Sequence, residues 1–138
     1  MSSHLEMITD FARNRDIVRR QCDGLTHQQS LLQPPFRANC LNWTIGHIVV
    51  HRDKALEALG FAKVAPESVF GRYNFESQPI TGDGPGVAKL EELLRSLDQA
   101  QEALATDLAT LSEQDMETDV KSGGRTTTRY KRVHFLQF

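Results

Sequence analysis

The sequence predicts an all-α four-helix bundle of the up-down type, with a long connection between its second and third helices. Three stretches repeat apolar residues at intervals of three and four, the spacing that places them on one helix face. Glycine and proline residues interrupt the pattern between these stretches. The chain has 138 residues, a length typical of one domain, so we expect residues 1–138 to form a single helical-bundle domain.

The first predicted helix runs from Ser3 to about Asp23, where Gly24 is a suitable left-handed terminator. Four arginines lie mostly outside its apolar stripe and predict a solvated flank rather than a phosphate site. The stripe consists of Leu5, Ile8, Phe11, Val18 and Cys22, and the arginines are Arg13, Arg15, Arg19 and Arg20.

The second predicted helix begins near Cys40, after the Pro34-Pro35 pair, and ends at Gly60. Asn39 is its predicted N-cap. The segment 61–86 that follows is rich in glycine, proline, serine and asparagine, and we expect it to cover the bundle as a functional loop. Its apolar residues are Phe61, Val69, Phe70, Tyr73 and Phe75.

The third predicted helix runs from about Val87 to Leu111 and has the most regular pattern, a seven-residue repeat of leucines that faces the bundle. Gln101 is the one polar residue within that repeat. The repeat consists of Leu90, Leu94, Leu97, Leu104, Leu108 and Leu111.

The last part of the chain predicts a turn, a short strand and the beginning of a helix. The Ser122-Gly123-Gly124 run marks the turn, and the β-branched stretch 125–130 favours a strand or hairpin arm. Residues 131–138 fit only the first turns of a fourth helix. We therefore expect the fourth helix to be incomplete in this chain.

Composition and charge exclude several classes of function. The net charge is −2 with both signs interspersed, so nucleic-acid binding through the arginines is disfavoured. Cys22 and Cys40 are too few for a disulfide scaffold and indicate a reducing compartment. The sequence shows no apolar run long enough to span a membrane and no signal peptide, so we expect a cytoplasmic protein.

His47 and His51 are four residues apart on the second predicted helix, so both rings project from the same face. Such a pair can give two nitrogens to a divalent metal, although a complete site needs further ligands. On spacing alone we favour a structural alternative, with one histidine in the core and the other at the surface. Trp43 most often indicates core packing, and it would line a pocket if His47 faced a cavity.

Other candidates rank lower. Asp53 could orient a neighbouring side chain, but with Glu57 four residues later a solvated helix face is favoured. Cys22 lacks a neighbour that would activate its thiol. The glycines of segment 82–86 resemble a phosphate loop, but no strand precedes them, so we interpret the segment as a flexible turn.

The segment 39–53 resembles the second helix of the DinB-like superfamily, helical bundles related to damage-inducible proteins and thiol S-transferases. The family pattern is an asparagine, a tryptophan four residues later and a metal-binding histidine after four more. Asn39, Trp43 and His47 match this spacing, and the order of elements agrees along nearly the whole chain.

The resemblance implies a divalent metal, often zinc or nickel, bound by three histidines. His47 occupies the position on the second helix, and the other two come from a His-x-x-x-His pair on the last helix. By register His134 lies about one turn too early, and the sequence ends at Phe138 where that pair would begin. The chain is then either naturally truncated or part of a longer polypeptide. We expect metal binding to be weak or absent unless a neighbouring subunit or His51 supplies ligands.

Two functions follow from these observations. The first is a metal-dependent transferase or hydrolase-like enzyme whose substrate is unknown; relatives implied by the resemblance use a low-molecular-weight thiol, and segment 61–86 would shape the pocket. The second is a non-catalytic stress-response bundle that acts by oligomerisation or partner binding, because an incomplete bundle leaves apolar surface exposed. In either case we expect a homodimer.

Overall fold

A computed structural model describes residues 3–137 and has helices along most of that length. Its elements, in chain order, are α1 (His4–Cys22), α2 (His27–Ser30), α3 (Leu41–Ala58), α4 (Glu67–Tyr73), α5 (Leu90–Thr110), α6 (Glu113–Met116), β1 (Asp119–Ser122), β2 (Arg125–Thr128) and α7 (Arg129–Leu136). Phe138, which the sequence places in the fourth helix, lies outside the described residues.

Four of these helices form the bundle. Helix α5 packs against both α1 and α3, and α7 packs against α3. The contact between α7 and α1 includes a hydrogen bond of 3.0 Å from Asn14 Nδ2 to the backbone oxygen of Gln137. The predicted all-α bundle is therefore confirmed, with α7 as a short fourth helix.

The buried apolar side chains form two clusters along the bundle axis. The upper cluster surrounds the first half of α3 and includes Ile45, Val49, Tyr73, Ile80, Leu90, Leu93 and Leu97. The lower cluster surrounds the second half and includes Met7, Phe11, Ala55, Leu56, Leu104, Leu108, Met116, Val133 and Leu136. The leucine repeat of α5 contributes to both clusters, as a bundle-facing helix should.

Gln101, the polar residue of that repeat, marks the border between the two clusters. It is buried, and its Oε1 accepts a hydrogen bond of 2.8 Å from Nη1 of Arg52, which is also buried. This hydrogen bond explains why a polar residue occurs in an otherwise apolar repeat.

The stripe predicted for the first helix is wrong at its beginning. Leu5 is 51% exposed, whereas His4 and Met7 are buried. The buried face runs from His4 through Met7 to Phe11. Because its first residue is polar, the apolar spacing in the sequence does not show where this face begins. His4 is accommodated because its Nε2 lies 2.8 Å from the backbone oxygen of Leu111.

Asn39 is not the N-cap of α3, as the sequence predicted. The cap residue is Cys40, whose side chain forms no capping hydrogen bond, and Asn39 is exposed. Cys40 is buried beneath Ile80, with its thiol 3.6 Å from that residue's carbonyl oxygen. A small buried thiol therefore occupies the cap position, where the sequence predicts a polar side chain.

The connections contain three helices that the sequence did not predict, α2, α4 and α6. Helix α2 is a single turn begun by a capping box between Thr26 and Gln29. Helix α4 lies within segment 61–86 and packs against α3, so that segment covers the bundle as predicted. Phe75 does not take part in this packing, since it is 70% exposed.

The predicted hairpin is present before α7. Strands β1 and β2 are antiparallel, with Val120 opposite Thr127, and the turn between them uses two glycines with positive φ. The side chain of Thr128 then accepts a hydrogen bond from the backbone of Lys131 and begins α7. None of the helices in residues 3–137 is long and apolar enough to cross a bilayer.

Candidate functional site

Three aromatic rings follow one another along α3 at intervals of one turn. The ring of Trp43 stacks on that of His47 with centroids 4.6 Å apart. The centroid of the His51 ring lies 4.2 Å from that of His47. Both histidines are half-buried. They therefore share one face, and the alternative with one ring in the core and the other at the surface does not describe them.

His47 is held by the loop that covers the helix. Its Nδ1 lies 3.0 Å from the backbone oxygen of Tyr73, at the end of α4. A carbonyl oxygen can only accept a hydrogen bond, so Nδ1 must bear the proton. In the neutral ring the lone pair is then on Nε2, which is the arrangement found in most metal-binding histidines.

His51 lies in a more apolar environment. Burial, followed by the charges of His47, Lys54 and Arg132, lowers the pKa of its imidazole to about 4. The ring is consequently uncharged at neutral pH and retains a nitrogen lone pair. A neutral imidazole is the form that binds metals.

Tyr73 connects the histidines to a buried polar network that the sequence did not reveal. Its hydroxyl donates a hydrogen bond of 2.7 Å to Oδ1 of Asn42 and accepts one of 2.9 Å from the backbone of Ala88. Nδ2 of Asn42 donates in turn to the oxygen of Ala88 over 3.0 Å. The network fixes Tyr73, and Tyr73 fixes His47.

Gly46 permits the tyrosine to approach α3 so closely. A Cβ atom at this position would lie 2.6 Å from Cε1 of Tyr73 and still closer to Cδ1 and Cγ. Tyr73 is completely buried, so its ring has no free space into which it could move. The glycine next to His47 is therefore a packing requirement of the site.

A cleft of about 320 Å³ opens beside His51, between α1, α3 and α7. Its lining residues are Asn14, Val18, Ile48, His51, Arg52, Leu136 and Gln137. Neither His47 nor Trp43 belongs to this lining, so the pocket-lining role of Trp43 stays a prediction.

Asp53 does not lie on a solvated helix face, which was the favoured expectation. It is fully buried, and its carboxylate accepts hydrogen bonds of 2.9 Å and 3.1 Å from the backbone of Val64 and Ala65. Burial raises its pKa, and these two hydrogen bonds oppose the rise. Asp53 thus fastens the beginning of the covering loop to α3, a return of the loop that no local sequence signal indicates.

The described residues fit part of a metal site. His47 and His51 provide two neighbouring imidazoles, one with its tautomer fixed and one with its charge suppressed. Within residues 3–137, however, no group of three or more histidine, cysteine or acidic side chains is arranged to hold a metal. His134 is exposed on α7 and stacks on the ring of Tyr130.

The remaining candidates have structural roles. Cys22 is buried, and burial raises the pKa of its thiol, so it is poorly suited to be a nucleophile. Arg15 and Arg19 on the predicted flank form ion pairs with Asp98 on α5. These two arginines serve to join α1 to α5.

Comparison with known protein families agrees with the resemblance seen in the sequence. The family model described as the DinB superfamily matches residues 10–137. A comparison with curated proteins finds no match.

Proposed function

The chain belongs to the DinB superfamily, and from that premise we propose that α3 supplies part of a divalent-metal site through His47 and His51. The observation that supports this most directly is the hydrogen bond between His47 Nδ1 and the backbone oxygen of Tyr73. It leaves Nε2 of the neutral ring as the nitrogen able to bind zinc or nickel. The second imidazole lies one turn away, uncharged at neutral pH.

A metal bound here would lower the pKa of a coordinated water or thiol, which is the chemistry of a hydrolase or a thiol transferase. The protein's own residues would orient the site: the carbonyl of Tyr73 holds the ring of His47, and Trp43 covers its face. The open cleft beside His51 would admit a small substrate. A metal-dependent transferase or hydrolase-like activity is therefore the function that we propose.

The test is a calorimetric titration of the full chain with zinc and, separately, with nickel. Two imidazoles bind a divalent ion weakly, so we expect weak binding that His47→Ala reduces roughly tenfold or more. Helicity should be almost unchanged, because His47 is only half-buried. His51→Ala should give a similar loss of affinity.

His134→Ala is the matched control, because it removes an exposed imidazole outside the pair. This variant should bind zinc as the parent does. Equal zinc affinity in the parent and in His47→Ala would refute the proposed ligand, and a loss of helicity in His47→Ala would make His47 a structural residue instead.

A second candidate function, partner binding through self-association, is favoured by one observation on the last helix. Phe135 is 67% exposed on α7, the short fourth helix, and a second chain packed against that helix would bury it. In this alternative the protein acts as a homodimer without catalysis.

Sedimentation velocity over a range of concentrations tests this alternative. Phe135→Asp should shift the chain towards monomer, whereas Phe36→Asp, at an equally exposed phenylalanine before α3, should not. A parent protein that stays monomeric at all concentrations would contradict it.

A further inference from the structure

Arg52 is a buried cation whose described neighbours include no acidic partner. Its side chain lies between α1, α3 and α5 and is only 2% exposed. No ion pair of Arg52 with a carboxylate occurs within residues 3–137. A charge taken out of water is costly unless an opposite charge or many hydrogen bonds compensate it.

The contacts that Arg52 does make are all with neutral groups. Nη1 donates to Oε1 of Gln101 over 2.8 Å, and Nη2 donates to the backbone oxygen of Phe11 over 3.0 Å. The guanidinium also lies 4.8 Å from the centroid of the Phe11 ring. Burial lowers its pKa to about 10, so the group still bears its charge at neutral pH. Its Nε has no hydrogen-bond partner within residues 3–137.

Arg52 lines the cleft that opens beside His51. In the same lining, Oε1 of Gln137 is buried with no hydrogen-bond partner among the described residues, while Nδ2 of Asn14 donates to the backbone oxygen of Gln137. The nearby carboxylate of Asp10 lies 3.5 Å from Nε2 of Gln137 and is paired with Arg13. The cleft therefore joins an uncompensated positive charge to an opening.

The remaining lining of the cleft consists of His51 and three aliphatic side chains. Val18, Ile48 and Leu136 contribute aliphatic side chains from three helices. A volume of about 320 Å³ lies at the lower end of the range of small-molecule sites. Such a cleft matches a ligand with one anionic end and a short hydrophobic body.

We propose that this cleft binds a small organic carboxylate, with its anionic group at Arg52 and its apolar part against Val18, Ile48 and Leu136. Charge-assisted hydrogen bonds to a guanidinium favour a carboxylate over a neutral amide of the same shape. The apolar wall favours an organic anion over inorganic phosphate. The cleft is the one that the proposed function assigns to the substrate, so as a substrate site it rests on that function, whereas binding itself requires no metal.

The experiment is a calorimetric titration of the full chain, freed of metal by a chelating resin, with phenylacetate. We expect saturable binding that is about tenfold tighter than binding of phenylacetamide, the neutral analogue. Inorganic phosphate should not displace phenylacetate. Binding should persist in His47→Ala, so failure of the metal proposal would leave this one intact.

Two variants test whether Arg52 supplies the positive charge that binds the carboxylate. Arg52→Gln should abolish the preference for the carboxylate, but it removes contacts among three helices and so could prevent folding. Asn14→Asp avoids this problem because it places a carboxylate on the cleft wall and leaves Arg52 unchanged. It should weaken phenylacetate binding at least about tenfold relative to Asn14→Ala, which loses the same hydrogen bond without adding charge.

Three results would overturn the proposal. They are equal affinity for phenylacetate and phenylacetamide, displacement by inorganic phosphate, and equal phenylacetate binding by Asn14→Asp and Asn14→Ala.

Discussion

The two halves of α3 are held in the fold by different physics. In the first half, Asn42, Gly46 and His47 meet Tyr73 through hydrogen bonds and one very close approach. At the end of the helix, Ala55, Leu56 and the cap residue Leu59 pack into the lower cluster through apolar contact, although Arg52 and Asp53 just before them are hydrogen-bonded. The end of the helix thus relies on non-directional contact, whereas the turns around His47 rely on directional interactions.

This difference explains where the candidate site lies. Apolar packing tolerates different hydrophobic side chains of similar volume. It therefore fixes the position of a side chain only through the shapes of its neighbours. Buried hydrogen bonds require particular partners in particular directions. The imidazole that must present one nitrogen to a ligand accordingly lies in the half of the helix that hydrogen bonds fix.

The largest effect on stability is expected in the apolar half. Leu104→Ala should lower the free energy of unfolding by about 2–5 kcal/mol, because it leaves a cavity in the lower cluster where Leu104 is fully buried. Urea denaturation measures this loss. The chemical shifts of the His47 ring should not change, and if they did, the two halves would not be independent.

Gly46→Ala should have the next largest effect and should act on both stability and site. The added methyl group overlaps the buried ring of Tyr73, so we expect a loss of about 3 kcal/mol in unfolding free energy. Displacement of Tyr73 should also weaken zinc binding, unlike Leu104→Ala. A variant as stable as the parent would show that α4 does not pack on Gly46.

Tyr73→Phe sharpens the comparison, because it keeps the ring and removes only the hydroxyl. The acceptor on Asn42 and the backbone donor of Ala88 would both lose a partner. We expect a loss of about 1–2 kcal/mol in urea denaturation, with the backbone oxygen of Tyr73 still able to hold His47. An unchanged stability would mean that the network contributes nothing to the upper half.

The smallest effect is expected from a surface charge in the upper half. Contact with His27, and hydrogen bonds from Lys89 and the backbone of Gly84, lower the pKa of Asp83 to about 2. Because the folded-state pKa is depressed, the stabilisation is present above about pH 4 and is lost as the pH falls towards 2. Asp83→Asn should therefore lower the melting temperature slightly at pH 7 and not at all near pH 2. Thermal scans across this range test it, and a constant difference would contradict the assignment.

The sequence predicted the apolar part of this architecture well and the polar part poorly. The leucine repeat of α5 and the hairpin before α7 follow from local periodicity and turn chemistry, so both could be read without a structure. The spacing of His47 and His51 likewise placed their rings on one face.

What the sequence could not show depends on contacts between distant residues. In the sequence, Tyr73 is only one aromatic residue of a loop, since nothing local indicates that its hydroxyl reaches Asn42. Asp53 was expected in solvent because its partners, the amides of Val64 and Ala65, have no side-chain signature. The sequence contains no signal that Arg52 is buried, because a buried arginine and an exposed one look alike in sequence.

The central claim is that Tyr73 fixes His47 with Nε2 free for a metal. Long-range proton–nitrogen NMR of the imidazoles, at a pH where the ring is neutral, tests it directly. We expect a proton on Nδ1 of His47 and a shift of the Nε2 resonance when zinc is added. A proton on Nε2, or a resonance there that zinc leaves unmoved, would contradict it.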